Sequence, residues 1–485
     1  MKIKKEFIFL VLLFLFTLFF RLHYTLSFNE FSSDTAYFHL TNIENLVQDK
    51  EILSYNPLSY GGRFLVYSWM FHVIFAILTL GSKFLLKAIP EVFLSTLVFF
   101  VYLIAYEITK DKLSSFFSAL LSAFIPIFLT ETMNVISVYS LILPLLFLSF
   151  YLILKLNSSK YCYILIITVF LLSFIHPSSF IFVLTLIFYF FLMSGGALSS
   201  TRLEKEAALF SVLLMILVQF VIYKNLFLDK GLNIVWTNVP FTVLSDFFKQ
   251  PTVFDFVLGF GVLPYIFGLL GLYLGLVKYK TKGAYLFGAL SLVILSLLAL
   301  RFISINLGLM FLGLALSVVA SIGIKSIFGY ISNLRLSHFK PIFVLIFLIL
   351  FVSLSFVPSV LAVKNLKDIP EYKINDLYYL RGHSQIGSVV LGNIYEGHII
   401  SYFATRKNVA DTNFLNAPNP VKRLGDIDQI YSQWSTALAL ELIRANSIDI
   451  IYLSNDTLDR YNITDLKYVN DECFVKDGRF YFVTC

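Results

Sequence analysis

An acid at position 34 is followed by a tyrosine at 37 and a histidine at 39, in the run Ser33-Asp34-Thr35-Ala36-Tyr37-Phe38-His39. A carboxylate with Tyr and His about one helical turn further on can hold a divalent metal or take a proton beside a membrane surface. Asp34 also stands where a helix N-cap would. Glu131 is the only acid between Pro126 and Ser140. It reads as a second ligand, because two carboxylates from different loops can meet at one metal, or as a solvated helix end. His176-Pro177 falls at a boundary between two apolar runs. The histidine there bonds a phosphate or caps a helix C-terminus, and the proline opens the next helix. Arg301 stands between the apolar runs 284–300 and 303–322, with no acid nearby in sequence. A guanidinium there either grips a phosphate with its planar set of donors or snorkels to headgroups.

The elements that position these groups are dictated by composition. Of 485 residues, 58% are hydrophobic, 17% aromatic and 14% charged, and the mean hydropathy is +0.82. Soluble domains carry about a quarter charged residues, so this is an integral membrane protein. The excess of 37 Lys+Arg over 30 Asp+Glu is small and forms no clustered basic face, which excludes nucleic acid as a partner. Three cysteines with no close pair predict neither a disulfide framework nor a zinc site.

Lys2, Lys4 and Lys5 precede an apolar run from Phe7 to Phe20 with no small-residue cleavage site after it, which reads as a retained signal anchor. Ten later runs are long enough to cross about 30 Å of hydrocarbon: 89–106, 113–129, 135–154, 161–175, 178–193, 207–227, 257–277, 284–300, 303–322 and 341–362. If 64–81 lies in the outer interface, one alternation puts the basic loops at Lys110/Lys112, Lys155/Lys160, Arg202/Lys205, Lys278/Lys280/Lys282 and Lys325/Arg335/Lys340 in the cytoplasm. The reading is a polytopic α-helical membrane domain over 1–363, with about eleven transmembrane helices and a cytoplasmic N-terminus, in the cell membrane. Its external stretches are 27–63, 130–134 and 228–255.

From 364 to 485 the composition becomes ordinary, which predicts a small external α/β domain. A strand is expected over 388–391, helices over 396–405 and 431–445, and a strand over 448–453. Lys476-Asp477-Gly478-Arg479 signals a closing hairpin.

The order Asp34, Tyr37, His39, Glu44-Asn45-Leu46, Pro57-Leu58-Ser59, Gly61-Gly62-Arg63 resembles the first external loop of archaeal and bacterial oligosaccharyltransferase catalytic subunits, membrane glycosyltransferases of the GT-C fold. The resemblance implies that Asp34 helps bind Mn²⁺ or Mg²⁺, which engages the donor phosphate. The second acidic pair of that family falls where this chain has Ile136-Ser137-Val138, leaving Glu131 offset as catalytic acid and ligand. Leu300-Arg301-Phe302 is similar to the family's Arg-Phe segment, whose arginine contacts the donor diphosphate. Thr242-Val243-Leu244-Ser245 stands where the family's acceptor-loop glutamate is expected, with Asp246 one place late. Asn393-Ile394-Tyr395-Glu396-Gly397-His398 has the layout of its Trp-Trp-Asp-Tyr-Gly-His signature but keeps only Gly397-His398.

The implied function is transfer of a sugar or oligosaccharide from a polyprenyl-phosphate or diphosphate donor to an external protein or glycan acceptor. The donor and the membrane lipids are the expected partners. Arg301, His176, Arg63, Asp246, Tyr395, Glu396 and His398 form the expected substrate-binding set. A lipid-linked-glycan-binding relative without activity and a polytopic transporter are the competing readings.

Overall fold

The computed structural model describes residues 5–231, 243, 252–333 and 339–485. Lys2, Lys4, Arg335 and Asp246 fall outside them, as do most residues of the 228–255 loop. The protein is a mostly helical, multi-pass membrane protein with a small C-terminal sheet. Among the described residues, seven helices are long and apolar enough to cross a bilayer: Phe7–Ser27, Lys83–Thr109, Pro177–Gly195, Arg202–Lys230, Lys282–Ala299, Ile305–Ser332 and Lys340–Lys364. Lys112–Ala123 and Pro126–Thr132 are together apolar enough for an eighth crossing if they form one span, and meet at a bend of 49°. Tyr139–Leu154, Ser159–Ile175 and Val262–Lys278 occupy the other expected crossings as shorter apolar helices. Within 64–81 the helix is Met70–Thr79, whose ten residues reach about 15 Å and so cover half the hydrocarbon core.

Ile305–Ser332 is the buried axis of the bundle, and Val262–Tyr273 packs along it. Small residues permit the close approach: a Cβ at Gly268, Gly271 or Gly323 would collide with Leu316, the Val319 carbonyl or the Phe267 carbonyl. Lipid-facing helices instead carry exposed Phe9, Phe19, Leu213, Leu217 and Phe220. The helical bundle buries the ion pair of Arg21 with Glu91: Arg21 Nε donates to Glu91 Oε2 at 2.6 Å, Arg21 Nη2 to Thr132 Oγ1 at 2.9 Å, and Thr25 Oγ1 to Glu91 Oε1 at 2.8 Å. Charges survive in a membrane interior when paired, and this pair anchors the first helix to the start of the Thr132–Asn134 turn.

The C-terminal sheet has five strands in the spatial order Lys407–Asn408, Val389–Leu391, Ile450–Tyr452, Phe480–Val483, Phe474–Asp477. The first three run parallel and the last two close antiparallel. Val390, Leu391, Ile450 and Ile451 are buried, as a parallel sheet covered on both faces requires. The expected helix over 431–445 is two helices, Pro420–Ser432 and Thr436–Ala445, and that over 396–405 is a 3₁₀ turn, an α turn and a π turn in succession. The hairpin turn is Gly478-Arg479, with Gly478 at φ 59° and Asp477 paired to Phe480.

Contrary to the expectation from cysteine spacing, Cys473 and Cys485 form a disulfide. Twelve residues separate them in sequence, but the hairpin pairs Phe474 with Val483 and so returns the chain end to Cys473, with Cα atoms 4.9 Å apart.

Candidate functional site at the Asp34–Gln48 helix

The helix that follows the first crossing is Asp34–Gln48, capped by Ser33, whose Oγ accepts the Ala36 N–H at 3.3 Å. Asp34 is therefore the first helical residue rather than the cap, and its carboxylate is free to face the C-terminal region. Oδ1 accepts the Ile399 N–H at 2.9 Å, while Oδ2 is buried with no hydrogen-bond partner. Burial raises the Asp34 pKa to about 6 against the opposing pull of His398 and the Ile399 N–H.

Side chains one and three turns along sew the same helix to the same segment. Tyr37 packs on Tyr402 and Phe403 with ring centres 5.1 and 5.2 Å apart. Phe38 lies 5.4 Å from the His398 ring, and Tyr402 donates to Glu44 Oε1 at 2.9 Å.

His398 also borders Asp411, its Nε2 3.6 Å from Oδ1. Asp411 is fully buried. Burial opposes its ionisation, yet His398, Arg63, Ser59 and Asn408 outweigh this and hold its pKa below the ordinary value. Arg63 Nη2 reaches Asp411 Oδ1 at 3.2 Å, Nε donates to Ser59 Oγ at 2.8 Å, and Nη1 donates to the Leu415 carbonyl at 3.1 Å. The guanidinium also lies over Tyr60 at 4.7 Å. The structure thus spends Arg63 on clamping the first loop to the C-terminal sheet.

Of the neighbouring histidines, His398 acts on Asp34, while His39 meets a second imidazole, His72. His39 Nδ1 and His72 Nε2 are 2.9 Å apart, so the two rings share one proton, and His176 and His398 both bear on His39 electrostatically. Burial, then the neighbouring imidazoles, hold His39 well below its ordinary pKa, and burial lowers His72 to about 3. At neutral pH His39 and His72 are therefore uncharged and each carries one N–H. His176 accepts the Ser178 N–H on Nδ1 at 3.1 Å, capping the 3₁₀ turn Pro177–Ser179 that follows it rather than the helix before it.

The other expected residues lie elsewhere. Glu131 accepts from Asn306 at 2.9 Å, which sets it against the turn that carries Arg301, exposed and left-handed at φ 59°. Among the described residues no hydrogen bond or ion pair joins Glu131 to Asp34. Glu396 is buried in a structural network with Lys373 Nζ at 2.6 Å, Ser454 Oγ at 2.6 Å and Thr457 Oγ1 at 3.2 Å. Tyr395 lies under the Arg460 guanidinium at 5.2 Å. Asp246 lies outside the described residues.

His72 and Asn134 escape sequence reasoning, although a histidine on the otherwise apolar 64–81 run was a signal for the first. Among the described residues no three His, Cys, Asp or Glu side chains converge as a metal requires.

No family model matches the sequence, and no curated protein matches it. Its fold, in contrast, is shared with solved structures. The archaeal oligosaccharyltransferase AglB from Archaeoglobus fulgidus, solved with an inhibitory peptide and a dolichol-phosphate, superposes with a TM-score of 0.70 at 13% identity, over 92% of this chain and 69% of that one. The chain has the GT-C fold. A second GT-C protein, ArnT from Cupriavidus metallidurans bound to undecaprenyl phosphate, matches with a TM-score of 0.55 at 11% identity, over 98% of this chain and 97% of its own. AglB has further been solved with zinc and sulfate, matching at a TM-score of 0.68 and 14% identity over 91% of this chain and 67% of that one. At such identities the likeness is one of fold.

Proposed function

We propose that this protein transfers a sugar or oligosaccharide from a polyprenyl-phosphate or diphosphate donor to an acceptor on the outer face of the membrane. The observation that carries the reading is the open, buried Asp34 Oδ2 beside His398, at the seam between the Asp34–Gln48 helix and the C-terminal region. Lipid phosphates bound to two GT-C proteins support the donor class. The domain division at 363/364, the cytoplasmic N-terminus and the external C-terminal domain belong to this reading. The Cys473–Cys485 bond supports it, since disulfides persist in oxidising compartments.

In this mechanism His39, His72 and His176, kept uncharged by burial, offer N–H donors to the donor phosphate, and Ser178 holds His176 with its proton on Nε2. Arg301 extends the phosphate site from the Glu131–Asn306 side. The acceptor O–H or N–H attacks C1 as the C1–O bond to the phosphate breaks, and Asp34 Oδ2 takes the acceptor proton. Removing Asp34 then abolishes transfer in membranes supplied with a panel of lipid-linked donors; an unimpaired Asp34→Ala variant refutes the assignment.

The residues present do not fit the Mn²⁺ or Mg²⁺ that the sequence resemblance implies. Hard cations want several oxygen donors, and here Asp34 offers one open oxygen while Glu131 is held by Asn306. No step is routed through a metal. The same shortfall favours a second reading, a lipid-linked-glycan-binding relative that does not turn over. Donor binding without transfer in that assay identifies it.

A further inference from the structure

The sequence contains three Asn-x-Ser/Thr triplets: Asn157-Ser158-Ser159, Asn455-Asp456-Thr457 and Asn462-Ile463-Thr464. Such a triplet is an acceptor for N-linked glycan only where both the asparagine amide and the hydroxyl are accessible, on a segment that can extend, and on the outer side of a membrane. The structure separates the three.

Thr457 is fully buried, and its hydroxyl is committed, donating to Glu396 Oε2 at 3.2 Å and accepting from Ser454 Oγ at 3.1 Å. Asn455 stands in the first turn of the helix Asn455–Tyr461. Freeing this triplet would unwind a helix and break the Glu396 network. Asn157 lies between the helices Tyr139–Leu154 and Ser159–Ile175, in the loop whose Lys155 and Lys160 mark it as cytoplasmic.

Asn462 differs on every count. It follows the last turn of the helix Asn455–Tyr461 in the left-handed conformation, φ 50°, which lifts it clear of the helix. Asn462 and Thr464 are both exposed, and among the described residues neither side chain has a hydrogen-bond partner. From Ile463 to Leu466 the chain has no regular structure to dismantle.

We infer that Asn462 is a glycosylation acceptor of this protein. The glycan comes from a lipid-diphosphate-linked donor: the bond between Asn462 Nδ2 and C1 forms as the C1–O bond to the diphosphate breaks, the lipid diphosphate leaves, and a base of the transferase takes the amide proton. The inference rests on the external placement of the C-terminal region and not on this chain's own activity.

The test is glycopeptide mass spectrometry on the full chain purified from its native membranes. The peptide carrying Asn462 gains a glycan mass, and enzymatic release of the glycan in ¹⁸O water leaves aspartate at that position. Asn462→Gln and Thr464→Ala each remove the modification without changing yield, while Asn455→Gln leaves it in place. An unmodified Asn462 in the native protein overturns the inference, as does a modification that survives Thr464→Ala. A glycan at Asn157 also overturns it, by placing the opposite face outside. None of these results touches the transfer assay for Asp34.

Discussion

Asn134 donates both carboxamide protons to the Asp34 loop, one to Ser32 Oγ and one to the Glu30 carbonyl, each at 2.8 Å, and its own carbonyl accepts the Ser32 N–H at 3.1 Å. It is left-handed at φ 55°, buried, and three residues past Glu131. The bent helix pair that carries Glu131 is thus fixed to the loop that carries Asp34. Asn134→Gly keeps the backbone conformation and loses both bonds, about 1 kcal/mol each. Transfer should fall about tenfold or more in kcat with the protein still folded; an unchanged kcat removes Asn134 from the positioning of this site.

Asp34 has its folded pKa raised from 3.8 to about 6, so the folded state disfavours its ionised form. Stability present at low pH is lost as pH rises from about 4 through about 6, amounting to about 3 kcal/mol. Asp34→Asn keeps the acceptor for Ile399 and avoids that cost. It should raise the melting temperature at neutral pH while abolishing transfer. The wild-type rate should rise with pH around 6. A rate that is flat between pH 5 and 7 contradicts a proton-accepting Asp34.

Arg301→Lys keeps a charge and loses the fork of donors. Binding of a short-chain polyprenyl diphosphate sugar should weaken by about 1 to 3 kcal/mol. Equal affinities by native mass spectrometry would make Arg301 a membrane anchor.

The Arg63–Asp411 pair is buried on both sides, so removing one partner strands the other charge. Arg63→Ala should cost about 3 to 5 kcal/mol and open the C-terminal region to limited proteolysis. A melting curve that does not move refutes the clamp.

Topology is checked with engineered cysteines and an impermeant reagent. Position 420 should label from outside and position 280 should not. Peptide mapping without reductant should recover Cys473 and Cys485 joined, leaving Cys162 as the free thiol.

The multi-pass helical character was legible because apolar runs are local signals, and the seven long apolar helices fall on those runs. His72 was not: its meeting with His39 depends on how the chain returns from the short hairpin at 55–64, which no periodicity encodes. Arg63 illustrates the same limit, since a lone arginine looks equally suited to a phosphate or to Asp411, 348 residues away. The disulfide was hidden for a related reason, because spacing along the chain says nothing until the hairpin register is known.

The Asp34–Ile399 bond closes a separation of 365 residues. On a ribosome adding about 5 to 20 residues per second, Asp34 is made roughly 20 to 70 seconds before its partner exists. Through that interval Asp34, Tyr37 and Glu44 of the Asp34–Gln48 helix lack the segment they hold in the finished fold. On the transfer mechanism proposed above, a chain that stops before residue 399 lacks the segment against which Asp34 is set and does not transfer.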